Sequence, residues 1–203
     1  VLVGDFLFSR SFELMTEDGS LKVLKILSGA SAIIAEGEVD QLTAQRKIDT
    51  SEERYLNIIR AKTAALFAAA SRIAAVIAEC SDEQEQALDE YGRNLGVAFQ
   101  LVDDALDYDS NAATMGKDRG DDFREGKMTL PVILAYARGS AEEREFWKAA
   151  IGGFKTSDAD LDHAIELIAR HNAVADTKAR ARHFAQCAID ALSIFPDGTA
   201  RQA

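Results

Sequence analysis

The stretch Gly96-Val97-Ala98-Phe99-Gln100-Leu101-Val102-Asp103-Asp104-Ala105-Leu106-Asp107-Tyr108 inverts the pattern of an ordinary surface helix. Gln100, Asp103, Asp104 and Asp107 recur at i, i+3, i+4 and i+7. At about 100° per residue they share one narrow face. Val97, Ala98, Leu101, Val102, Ala105 and Leu106 fill the rest of the circumference. Such a helix is buried on most sides and turns a thin polar stripe toward a cavity. A solvated acidic face is the bland alternative, but it would not be so narrow or so fully flanked by apolar residues. Carboxylates crowded on one stripe repel one another and call for a cation. Hard divalent ions take oxygen ligands, and Mg²⁺ is commonly held by one or two carboxylates together with phosphate oxygens and waters. Asp103, Asp104 and Asp107 are therefore the candidate metal ligands.

Outward from this helix the signals stay helical. Ser81-Asp82-Glu83-Gln84 and Ser140-Ala141-Glu142-Glu143 read as capping boxes. So does Thr50-Ser51-Glu52-Glu53, with Thr50 as N-cap, and Ser157-Asp158-Ala159-Asp160 is a weaker version. Each precedes a run with helical apolar spacing. The spacing predicts helices over about residues 1–16, 20–47, 51–79, 82–108, 130–138, 141–150, 158–171 and 173–194. Alternating strand patterns are absent, and the two prolines, Pro131 and Pro196, sit near predicted helix ends. The expected fold is all-α, a bundle of mostly antiparallel helices around a central cavity. With no linker or repeat, residues 1–203 read as one domain. The first residues, Val1 to Phe8, lie inside an apolar periodic segment with no initiating Met and no cap, so further sequence is expected upstream.

The chain has 34 acidic against 23 basic residues and a net charge of −11. That field repels nucleic acid and anionic lipid surfaces. An anionic substrate would need metal ions or a few well-placed lysines. No apolar run approaches the roughly 18 residues of a membrane span. Cys80 and Cys187 fit no metal-ligand spacing, and two reduced thiols point to the cytoplasm. His163, His171 and His183 suggest no nucleophilic arrangement.

The longest stretch without helical signal runs from Asp109 to Met128 and is expected to be a charged loop. It holds two Gly-Lys pairs, Gly116-Lys117 and Gly126-Lys127. Glycine lets backbone approach a ligand, and lysine is a mobile point charge suited to phosphate. Thr129 and Pro131 then open a helix whose N-terminal amides also favour anions. Asp121-Asp122-Phe123-Arg124-Glu125 mimics an aspartate-rich motif but interleaves an arginine, and reads as a decoy. Lys62, among Ile58, Ile59, Ala61, Ala64 and Ala65, either snorkels to solvent or points into a polar cavity, and the residues alone slightly favour solvent. Glu38 and Gln41, taken singly, read as surface residues.

Taken together, these pieces resemble the trans-isoprenyl diphosphate synthase family over nearly the whole chain. Phe99 to Asp107 resembles the family's second aspartate-rich motif. Lys62-Thr63 resembles its Lys-Thr pair, and Gly116-Lys117 through Gly126-Lys127-Met128-Thr129-Leu130-Pro131 the loop that closes over diphosphates. Glu36-Gly37-Glu38 with Gln41, and Tyr108, look like the long-chain members that make quinone side chains. The family's first aspartate-rich motif and its Gly-Gly-Lys-Arg segment would fall upstream of Val1. The resemblance implies a Mg²⁺-dependent prenyltransferase that joins isopentenyl diphosphate to an allylic diphosphate, working as a homodimer. It implies that these 203 residues by themselves are inactive. It makes Lys62, Thr63, Gln100 and Lys117 candidate catalytic residues, and those four with Lys127 candidate substrate-binding residues. Asp103, Asp104 and Asp107 would hold the metal. Val3, Phe6 and Leu7 would line a tunnel for the growing tail. A non-catalytic helical subunit of a heteromeric synthase is the alternative, although such a subunit would be expected to lose aspartates or lysines. A terpene cyclase or head-to-head synthase would share the aspartates but not the closing loop. A ligand-free structural module would show no Mg²⁺-dependent diphosphate binding.

Overall fold

The computed structural model describes residues 2–109, 120–153 and 156–202. The order along the chain is α1 (Leu2–Asp18), α2 (Leu21–Ala44), α3 (Glu52–Ile59), a π-helical turn (Arg60–Ala64), α4 (Ala65–Ile77) and α5 (Asp82–Asp107). There follow α6 (Asp121–Glu125), α7 (Leu130–Arg138), α8 (Ala141–Gly152), α9 (Asp158–Arg170), α10 (Ala173–Ala191), a short 3₁₀ turn (Leu192–Ile194) and α11 (Thr199–Gln202). No strand occurs among the described residues. The all-α expectation therefore holds.

The capping chemistry fixes most boundaries. Ser81, Ser140 and Ser157 each accept from the third helical amide, while the Gln84, Glu143 and Asp160 side chains reach back, so three full capping boxes form. The fourth is shifted by one residue. Ser51, not Thr50, is the N-cap of α3, accepting from Arg54 N–H at 3.2 Å, and Thr50 instead donates to the Lys47 carbonyl. Ser20 caps α2 in the same way, a signal absent from the sequence reading.

α5 is the spine of the bundle, packed most extensively against α10 on one side and α4 on another. α2 lies across α4 and the π turn. The core gathers where α5, α7, α8 and α9 meet, around Leu101, Phe123, Leu130, Trp147, Ile151 and Leu167. α1 leans on α2 and leaves Leu2, Val3, Phe6, Leu7 and Phe8 exposed.

Two expectations need correction. Residues 51–79 were expected to form one helix, but a π turn interrupts it at Arg60–Ala64. The stretch from Asp109 to Met128 was expected to be a charged loop without helix. Yet Asp121–Glu125 is a helical turn whose Phe123 is 0 % exposed and stacks edge-on against Trp147. One buried aromatic outweighs the surrounding charges, because an aromatic core contact removes a large apolar area from water.

Candidate functional site

A cavity of about 260 Å³ opens where five segments of the chain converge. α2 and the residue after it give Gln41, Ala44 and Gln45, α3 gives Tyr55, Ile58 and Ile59, and the π turn gives Lys62. α5 gives Gln100, Asp103 and Asp104, while α6 and the segment after it give Asp122, Lys127, Met128 and Thr129.

The π turn explains how Tyr55 and Thr63 serve the same place. Eight α-helical steps of about 100° would carry Thr63 about 80° past the Tyr55 face. Steps of about 80° through a turn closed by i→i+5 bonds remove roughly that excess. Both side chains consequently reach α5, Thr63 to Gln100 and Tyr55 to Asp104. α2 can lie against this turn because position 37 is glycine. A Cβ there would stand 2.8 Å from Lys62 N and 2.8 Å from Ala61 Cβ.

The aspartate stripe divides into three environments. Asp103 lines the cavity. Asp104 stands at the cavity wall but is only 3 % exposed, with both oxygens engaged. Its Oδ1 accepts from Gln100 Nε2 at 2.7 Å and its Oδ2 from the Tyr55 hydroxyl at 2.6 Å. Burial pushes the Asp104 carboxyl up to about 7, against the opposing pull of those two donors. Asp107 accepts backbone N–H groups of Asp121 and Asp122, both at 3.2 Å, and so ties the end of α5 to the first turn of α6. Burial and then the neighbouring Asp122 carboxylate push Asp107 up to about 6. Burial, followed by the Asp104 charge, raises the Tyr55 phenol well above its ordinary value.

The lysines answer these carboxylates. Lys62 lies on the cavity wall and pairs with Glu38 Oε1 at 3.1 Å, which corrects the solvent-directed reading of Lys62. Gln41 also faces the cavity and is not merely a surface residue. Lys127 sits 2.9 Å from Asp122 Oδ1 and 2.7 Å from Glu125 Oε2. Burial works against the Lys127 charge, but those two carboxylates more than offset it and hold its pKa well up. Thr63 donates to Gln100 Oε1 at 2.8 Å. Lys117 lies outside the described residues.

Three residues escaped the sequence reading. Asp122 is no decoy by position, since it lines the cavity beside Asp104 and Lys127. Tyr55 carries no polar-stripe signal, because it is a lone aromatic in an amphipathic helix. Arg46, in the left-handed region at φ 62°, donates its N–H to the Gly126 carbonyl at 2.8 Å. Its guanidinium reaches the carbonyls of Ile151 and Gly153 at the end of α8, so Arg46 clamps the segment that carries Lys127 against that end. Only that long-range contact reveals it.

A hard divalent ion fits this donor set. The available ligand atoms are carboxylate oxygens, and burial raises two of those carboxyls, which an ion would relieve. Among the described residues, however, no three acidic, cysteine or histidine side chains stand close enough to share one ion. The turned-in Asp104 and the backbone-bonded Asp107 account for this. Oxygens from a bound phosphate and water would have to complete the shell, in the manner usual for Mg²⁺.

Fold and site together define an all-helical protein with an acidic cavity edged by lysines, suited to a polyanion and a divalent cation. The family model described as polyprenyl synthetase matches residues 1–168, and the chain belongs to that family. The octaprenyl diphosphate synthase of Haemophilus influenzae is 42% identical over 205 residues, which cover 100% of this chain and 61% of that protein. The chain thus spans about three-fifths of that relative's length. The crystal structure of a polyprenyl synthase from Caulobacter crescentus complexed with calcium and isoprenyl diphosphate is 52% identical. It superposes with a TM-score of 0.95, covering 100% of this chain and 62% of the other. A decaprenyl diphosphate synthase from Rhodobacter capsulatus is 50% identical with a TM-score of 0.92, over 100% of this chain and 62% of that one.

Proposed function

We propose that the protein condenses isopentenyl diphosphate with an allylic diphosphate to give a trans polyprenyl diphosphate, with Mg²⁺ as the metal. The observation that carries this reading is the convergence of Asp103, Gln100, Lys62 and Lys127 on one cavity from segments far apart in sequence, with Thr63 bonded to Gln100. Octaprenyl and decaprenyl synthases among the relatives favour a long-chain product of the kind that becomes a quinone side chain. All these residues are retained, so nothing favours a non-catalytic subunit. A cytoplasmic homodimer, and a single domain over residues 1–203, belong to the same reading; among the described residues no helix is long and apolar enough to cross a membrane.

In this reading Asp103 and Asp107 are the metal ligands, with Asp104 beside them. Bound Mg²⁺ would neutralise diphosphate charge and so ease departure of the leaving group. Lys62 and Lys127 hold the allylic diphosphate by charge, and Lys117 joins them. The C–O bond of the allylic diphosphate breaks, its electron pair leaving with the diphosphate. The double bond of isopentenyl diphosphate then supplies electrons to the allylic carbon, and loss of one proton regenerates a double bond. Gln100, held by Thr63, sets a dipole beside the developing charge. Fixed charges and dipoles of this kind need no reorganisation at the moment of reaction.

The test is to supply the full-length protein with an allylic diphosphate, labelled isopentenyl diphosphate and Mg²⁺, and to look for labelled polyprenyl diphosphate. Asp103→Ala should lose most turnover, at least a hundredfold, while its far-UV circular dichroism stays unchanged, because a ligand is lost and not a packing contact. Turnover near wild type in saturating Mg²⁺ would overturn the assignment of Asp103.

A further inference from the structure

Tyr55 plays no part in the reading above. It is 4 % exposed and stands in the wall of the cavity. Its partner is one oxygen of Asp104, to which it donates at 2.6 Å. The other oxygen of that carboxylate accepts from Gln100 at 2.7 Å, and the far end of the Gln100 amide accepts from Thr63 at 2.8 Å. The chain of bonds therefore runs from Tyr55 through Asp104 and Gln100 to Thr63, and three helical segments contribute to it.

The order of donors fixes the orientation of each group. Once ionised, the Asp104 carboxylate can only accept, so Gln100 then turns its NH₂ end to it. Its carbonyl end then faces Thr63, whose hydroxyl must donate. Without Tyr55, one oxygen of a buried carboxylate would lack a donor, and desolvation would drive Asp104 to rotate toward the cavity or draw Gln100 after it. Either movement changes what the cavity offers a diphosphate.

We propose that Tyr55 is a positioning residue: by donating to Asp104 it holds that carboxylate turned inward and thereby orients the Gln100 amide and the Thr63 hydroxyl at the diphosphate cavity. The inference rests on the reading of this cavity as a metal-assisted diphosphate site. The π turn is what allows one helical strand of the fold to supply both ends of the bond chain, since Tyr55 precedes it and Thr63 lies within it.

The test is a double-mutant cycle read by calorimetric titration of inorganic diphosphate in Mg²⁺. The proteins are the wild type, Tyr55→Phe, Asp104→Asn and the double variant. Tyr55→Phe keeps the ring packing and should weaken diphosphate binding about tenfold while far-UV circular dichroism stays native. Asp104→Asn should give a comparable loss, and the double variant no more than either alone, because both act through one bond. A Tyr55→Phe protein that melts earlier but binds diphosphate like the wild type makes Tyr55 merely structural and overturns the proposal. Fully additive losses do so too. A wild type that binds no diphosphate in Mg²⁺ overturns the functional reading itself, and is told apart because the parent protein fails. Should Tyr55→Phe not fold, the unsubstituted chain carrying 3-fluorotyrosine serves. The ¹⁹F resonance of residue 55 should move when Mg²⁺ and diphosphate are added together, and an unmoved resonance under binding conditions overturns the proposal.

Discussion

Asp104 and Asp103 are adjacent in sequence but have opposite surroundings. The i, i+3, i+4, i+7 spacing placed both on one stripe, and that much is correct. Spacing cannot say how far each side chain lies from the edge of the stripe, and there Tyr55 and Gln100 each donate to one oxygen of the buried Asp104. The consequence is a pH dependence. Asp104, pushed up to about 7, and Asp107, up to about 6, keep protons in the folded protein that they release on unfolding. Unfolding then releases protons, so the stabilisation is complete below the ordinary carboxylate value and is lost as pH rises through about 6 to 7. The metal-free protein should melt at progressively lower temperature between about pH 4 and pH 7. Asp104→Asn should flatten that slope, as scanning calorimetry across this range would show. A melting temperature that rises over the same interval would contradict the burial of Asp104 as its cause. Lys62 teaches the same lesson about reach. Its sequence context allowed solvent or cavity, and the close seat of α2 on the π turn, with Glu38 beside it, decided for the cavity.

At the scale of elements, most helices were legible because their caps are local. Ser81, Ser140 and Ser157 act on amides three residues away, within any window used to read them. The π turn was not legible, because nothing in Arg60-Ala61-Lys62-Thr63-Ala64 differs from good α-helical sequence. Its consequence is tertiary, since Tyr55 and Thr63 both reach α5 across it. The short helix α6 was hidden by its charges and is held by partners far away, Asp107 at its start and Arg46 beyond its end. Gly126 is the joint between α6 and Lys127. Its φ of +73° suits glycine, and a Cβ there would meet Arg46 Cγ at 2.7 Å. Gly126→Ala should cost about 1–3 kcal/mol in denaturant unfolding. It should also weaken Mg²⁺-dependent diphosphate binding, because Lys127 is the next residue. Stability within about 0.5 kcal/mol of wild type would show that the Arg46 clamp yields easily.

At the scale of the whole molecule, charge governs ligand choice. A net charge of −11 and a cavity lined by Asp103, Asp104 and Asp122 should repel a free diphosphate. Calorimetric titration of an allylic diphosphate analogue should therefore give strong binding in Mg²⁺ and little in EDTA, and equal affinity in both would rule out a metal bridge. The exposed apolar face of α1, with Phe6, Leu7 and Phe8, is the other molecular feature, and it is the segment expected to line a tail tunnel. The sequence by itself determined the helical class, most helix starts and the acidic stripe, while Lys62 and Lys127 became candidates through the family resemblance. Periodicity, caps and residue chemistry are all written within a few residues of one another. Tertiary structure alone decided which carboxylate turns inward, that Asp122 joins the cavity, that Arg46 clamps the Lys127 segment and that Tyr55 reaches Asp104. Those facts depend on contacts between residues roughly fifty to a hundred positions apart, whose register is set by how whole helices pack and not by any local pattern.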